Sequence, residues 1–154
     1  MNALIIDQFN KLIKQIKAEY FNALVDNNIR EADLHVFRLK QVKRILSIIL
    51  SLGVEINSEN DVKGIPGIGI GTVNRIKEIL ETGELSELHH KYDTAKQKKI
   101  NSIQELLNVI GVGDRLARKL IIENNITNVD ELKNAVDKGI IKVNYQVDFL
   151  FKSI

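Results

Sequence analysis

All-α is the fold class that the sequence predicts, arranged as two small helical domains, each containing a helix-hairpin-helix motif. Three observations carry this reading. Apolar residues recur three or four apart along most of the 154 residues, and no segment alternates in the way of a half-buried strand. A single proline and nine glycines leave room for long regular segments. Two short segments of matching pattern, each built on a Gly-apolar-Gly triplet, have helical periodicity on both sides.

The first helix is set by Ile5, Phe9, Leu12, Ile13, Ile16, Tyr20 and Leu24, with Lys11, Lys14 and Lys17 between them. Asp26, Asn27 and Asn28 break it. A second helix is expected from about Glu31 to Leu52, on an apolar stripe of Leu34, Phe37, Val42, Ile45, Leu46 and Ile49. Gly53 should cap its C-terminus, because glycine enters the left-handed conformation without strain. Past Gly53 the helices become shorter. Asn57 to Asp61 is rich in N-cap residues, and helical spacing resumes at Val73, Ile76, Ile79 and Leu80 before ending at Gly83. Lys91 to Lys99 has four lysines, one aspartate and almost no apolar residue, and reads as a solvated linker. The last block is periodic at Ile103, Leu106, Leu107 and Ile110, at Leu116, Leu120 and Ile121, at Val129 and Leu132, and from Val143 to Ile154. The expected division is a domain over 1–90, a linker over 91–100 and a second domain over 101–154.

Composition excludes several functions. With no cysteine there is no disulfide framework, thiol nucleophile or Cys-based zinc site. The three histidines are a poor zinc set, and the adjacent pair His89 and His90 is read as structural or incidental. No apolar run reaches the roughly 18 residues of a membrane span, and no leader pattern opens the chain, so an intracellular protein is expected. The net charge is +2, from 22 basic and 20 acidic residues. A protein that coats nucleic acid is usually more basic, so any such contact should be local and geometric.

The two glycine segments carry the most information. One runs from Ile65 to Ile76 (IPGIGIGTVNRI) and the other from Val109 to Leu120 (VIGVGDRLARKL). Glycine has no Cβ to obstruct a close approach by a phosphate. The second glycine of each triplet, Gly69 or Gly113, should open a helix whose free N–H groups and positive end face outward, which is a ready anion site. Ile68 and Val112, between the glycines, should point inward. A substitution at Gly69 or Gly113 is expected to strain the turn. Neither copy sits in a βαβ unit, so neither is a dinucleotide fingerprint.

At these residues the sequence resembles the amino-terminal half of family X DNA polymerases, of the DNA polymerase beta type. The likeness covers nearly the whole chain. It includes the first hairpin with its Glu81-Thr82-Gly83-Glu84-Leu85 turn, the linker, the second hairpin, Phe37-Arg38 in the second helix and Val143-Asn144-Tyr145-Gln146 before the last helix. The resemblance implies a 5′-phosphate and deoxyribose-phosphate lyase-like domain over 1–90 and a second DNA-gripping domain over 101–154. The implied role is the DNA-binding region of a gap-filling repair polymerase. Its partners would be gapped or nicked DNA with a 5′-phosphate, together with other repair proteins. The family's palm, with its paired aspartates and Mg2+, has no counterpart in these residues.

In that family the lyase nucleophile is a lysine that forms a Schiff base with the sugar aldehyde. The matching position, six residues past Gly69, is Arg75, whose guanidinium stays protonated and cannot form the imine. Gly71 and Glu87 also stand where lyase-active members have lysines, and Asp33 stands where they have another. Lys77 lies roughly 200° around the helix from Arg75 and is a poor substitute. The reading is therefore 5′-phosphate binding by Arg75 without efficient lyase activity.

The implied DNA-binding set is Lys63, Gly67, Gly69, Gly71, Thr72 and Arg75 at the first hairpin, His35 and Arg38 on the second helix, and Gly111, Gly113 and Arg115 at the second hairpin. The resemblance also implies sodium or potassium in each hairpin. Its ligands would be the backbone carbonyls of Lys63, Ile65 and Ile68 in one copy, and of Leu107, Val109 and Val112 in the other. Arg30, Lys40, Lys43 and Arg44 surround the second helix, where a solvated face and DNA contact are both open readings, as they are for Arg118 and Lys119. Two other functions remain: a hairpin-based adaptor of a structure-specific nuclease or recombination factor, and a helical protein-interaction module.

Overall fold

The computed structural model of the protein describes residues 1–89, 92–110 and 118–140. Every regular element among them is helical, as the periodicity predicts. They are α1 (Ala3–Val25), α2 (Ile29–Ser51), α3 (Ile70–Thr82), α4 (Thr94–Ile110) and α5 (Val129–Asp137), with 3₁₀ turns at Glu59–Asp61 and Ser86–His89 and a π-turn at Lys119–Glu123. Gly111, Val112, Gly113, Arg115, Leu116, His90 and the expected final helix lie outside the described residues.

The chain forms two compact units. The first comprises Met1–Tyr20 and Arg30–Lys91, the second Phe21–Ile29 and Tyr92–Ile154. In the first unit α1 contributes Ile5, Phe9, Leu12 and Ile16 to the core, α2 contributes Val42, Ile45 and Ile49, and α3 contributes Val73, Ile76 and Ile79. Ile56, Val62 and Leu85 close the remaining gaps. Asn2 ties the start of α1 to the segment after α2, donating to the Val54 carbonyl at 2.9 Å and accepting from the Ile56 N–H at 2.7 Å. Ser58 and Asp61 form a reciprocal capping box around the turn at Glu59–Asp61. The structure therefore places one 3₁₀ turn, and not a full helix, ahead of the first glycine segment. The smaller core of the second unit is Leu106, Leu120, Ile126, Leu132 and Ala135. Asn128 caps α5 through the Glu131 N–H.

Three expectations need correction. Val42, Ile45 and Ile49 are buried as expected, but Leu34 and Phe37 are exposed. In the first half of α2 a small alanine, Ala32, and a hydrogen-bonded histidine, His35, occupy the inner positions instead. Second, the lysine-rich stretch is helical from Thr94. Asp93 supplies the cap, its carboxylate accepting the Lys96 N–H at 2.8 Å and its carbonyl the Gln97 N–H at 2.9 Å. Lys96 also pairs with Asp26 at 3.6 Å.

The third correction concerns the glycines of the first segment. Gly69 is extended (φ −90°, ψ 179°), and a Cβ there would meet nothing within 4 Å. The constrained residue is Gly67, at φ +90°, where a Cβ would lie 2.6 Å from Ile48 Cδ1. Gly67→Ala should therefore cost about 1–2 kcal/mol, the usual penalty for a side chain in the left-handed region. Gly69→Ser, at a helix N-cap, should be neutral or slightly stabilising. Urea denaturation of both variants checks the contrast.

Candidate functional site

The first glycine segment is anchored from beneath. Val62 is fully buried, and Ile65 and Ile68 pack against the core of the first unit, so the residue between the glycines does turn inward. Successive turns follow from the Ile65 N–H to the Val62 carbonyl and from the Ile68 N–H to the Ile65 carbonyl. Gly69 is the N-cap of α3, and its carbonyl accepts the Val73 N–H at 3.1 Å. No side chain caps this terminus. Gly69, Ile70 and Gly71 are exposed, Ile70 at 81%, and a Cβ on Gly71 would also meet open space. The result is a helix end with free N–H groups and partial positive charge in solvent. Thr72 is buried at 4% exposure and faces the core side.

Arg75 lies on the next turn of α3. Its Nε donates to Glu87 Oε1 at 2.8 Å, and both side chains are about one-third exposed. Arg75 and Glu87 thus meet as an ion pair. Glu87 is held in place by its turn. The Leu85 N–H donates to Gln8 Oε1 at 3.0 Å, Gln15 Nε2 donates to the Glu87 carbonyl at 2.7 Å, and Ser86 donates through its N–H and its hydroxyl to the Glu78 carboxylate. Gln8 and Gln15 are the residues that sequence reasoning missed. Gln8 occupies a core position in the α1 stripe between Ile5 and Phe9, and a polar residue at such a place is the signal that could have revealed it.

His35 and Arg38 are engaged within the chain. His35 is 7% exposed. Arg38 Nη1 donates to Glu19 Oε2 at 2.8 Å and lies 3.0 Å from His35 Nδ1. An arginine can only donate, so Nδ1 is the acceptor and the ring hydrogen sits on Nε2, 3.4 Å from Glu31 Oε1. The cluster clasps α1 to α2. Phe37, Lys40, Lys43 and Arg44 remain exposed on α2, as does Asp33. Lys63 and Lys77 are exposed and have no ion-pair partner among the described residues.

The carbonyls of Lys63, Ile65 and Ile68 fall in the turns before α3, with that of Ile65 already accepting one hydrogen bond. Leu107 and Val109 belong to the last turn of α4, where helix carbonyls lack intrahelical partners. Among the described residues no group of three or more His, Cys, Asp or Glu is placed to hold a metal ion. None of the described helices is long and apolar enough to cross a membrane.

No protein-family model matches the chain. Over 91 residues, 59% of its length, the chain is 34% identical to DNA polymerase lambda from Arabidopsis thaliana. The match spans 16% of that relative.

Because Gln8 is buried and its carbonyl serves the Leu85 N–H, Gln8→Leu should leave that N–H unpaired. A loss of about 1–3 kcal/mol is expected. Chemical denaturation measures it, and amide hydrogen exchange at Leu85 should report the opened turn.

Proposed function

We propose that the chain is the DNA-binding region of a family X-type DNA polymerase acting in gap-filling repair. It holds gapped or nicked DNA by its phosphates, with the 5′-phosphate at the start of α3. The observation that carries the reading is the open amino terminus of α3, where two exposed glycines leave backbone N–H groups accessible and no side chain competes for them. The partial similarity to DNA polymerase lambda supports it. Lys63 and Arg75 add charge that a phosphate can use, Arg75 through paired donors. Contacts of this kind position DNA without reading its sequence. The carbonyls of Lys63, Ile65 and Ile68, and those of Leu107, Val109 and Val112, are the proposed ligands of a sodium or potassium ion that bridges to phosphate.

Efficient lyase chemistry is not part of the proposal. Imine formation needs a neutral amine at the sugar C1′, and the position that would supply it is Arg75, paired with a carboxylate.

Fluorescence anisotropy should show tighter binding to a gap with a 5′-phosphate than to the same gap with a 5′-hydroxyl. Equal affinities, in the unmodified protein and in a variant whose Arg75 is freed of its Glu87 partner, would remove the 5′-phosphate pocket. Gly69→Val tests the helix end, since a Cβ at this position meets nothing within 4 Å. The variant should stay folded by circular dichroism and bind DNA several-fold more weakly; normal binding would reduce the segment to a structural turn.

On DNA with an incised abasic site, borohydride should trap little or no covalent adduct. Arg75→Lys should raise trapping, by a small margin because Gly71 and Glu87 leave few cations to lower the new lysine's pKa. Strong trapping by the unmodified protein would overturn this part and make Lys63 and Lys77 the lysines to substitute.

A further inference from the structure

We infer that Glu87 is a specificity-determining residue. It occupies the Arg75 guanidinium as an internal anion and so weakens the protein's preference for a 5′-phosphate. The inference rests on the proposed 5′-phosphate site. Among the described residues Glu87 is the one hydrogen-bond partner of Arg75, and it uses Nε alone, at 2.8 Å. The terminal nitrogens of the guanidinium are left for an external oxyanion. A phosphate that takes them arrives beside a carboxylate already bound to the same cation.

Like charges that share one half-buried cation repel, so the phosphate must either displace Glu87 or bind next to it. Both routes lower affinity for the phosphorylated end and leave the hydroxyl end untouched. Displacement is opposed because the Glu87 backbone is fixed by Gln15 from α1 and its turn by Glu78 from α3. The carboxylate cannot retreat by moving the backbone; only its side-chain torsions are available.

The test is a double-mutant cycle on the full chain, using anisotropy with gapped DNA bearing a 5′-phosphate or a 5′-hydroxyl at one salt concentration. Glu87→Gln keeps an acceptor for Arg75 Nε while removing the charge. It should raise the phosphate-to-hydroxyl affinity ratio about two- to fivefold. In an Arg75→Gln background the same substitution should leave the ratio unchanged. Glu87→Ala replaces Glu87→Gln if circular dichroism shows the glutamine variant misfolded. A ratio that stays level or falls on Glu87→Gln, in a protein that discriminates phosphate, overturns the inference and spares the phosphate site. A rise that persists without Arg75 also overturns it. If neither the unmodified protein nor Glu87→Gln discriminates phosphate, the 5′-phosphate reading falls, and this inference with it. Discrimination that appears only on Glu87→Gln supports it.

Discussion

Burial of Val73, Ile76 and Ile79 determines what the rest of the first unit can present to solvent. These residues sit on one face of α3 and pack with α1 and α2 in a single apolar core. Once that face is committed, the helix end, its two exposed glycines and the Arg75 side chain have their directions set. The turn before α3 is similarly constrained: Val62, Ile65 and Ile68 point into the core, leaving the intervening backbone on the outside. An apolar requirement thus shapes a polar surface.

Two arginines of the first unit sit in matched ion pairs. Arg75 meets Glu87 and Arg38 meets Glu19, each at 2.8 Å. The near-neutral composition of the chain has a local counterpart here, since Arg75 and Arg38 carry their own counter-ions. Exposed cations without an ion-pair partner among the described residues, such as Lys63, are those whose charge is available at long range. A surface of this kind depends on geometry more than on net charge, and its encounter with a polyanion is only weakly steered.

How far the sequence foretells these features varies with the physics behind each one. The α1 stripe is legible because its inner positions are mostly large and apolar, Gln8 and Ala23 apart. On α2 the same method selects Leu34 and Phe37, since side-chain apolarity says nothing about which face a helix turns inward. The inner positions belong to Ala32 and to His35, whose polarity is satisfied by Arg38 and Glu31. The start of α4 is hidden by its lysines, and a single cap at Asp93 decides it. Arg75 and Glu87 are both visible as unusual residues, yet nothing in their spacing of 12 links them. Their meeting depends on the chain reversal after Gly83, a left-handed residue at φ +87°. The second glycine segment remains readable only as sequence, because most of it lies outside the described residues.

The helix α1 begins in one unit and ends in the other, with the change at Tyr20 and Phe21. The chain therefore enters the second unit at Phe21, leaves it at Ile29 and returns only at Tyr92. In kinetic terms the first unit's larger part is an insertion within the second. Closing the second unit means bringing together segments that lie far apart along the chain, at a cost in loop entropy that the intervening helices reduce once they have formed. Such connectivity favours an order of events in which the three-helix core consolidates first and the smaller core forms on a shortened loop. It also makes the continuous backbone of α1 a covalent bracket: no single cut separates the two units without dividing one of them.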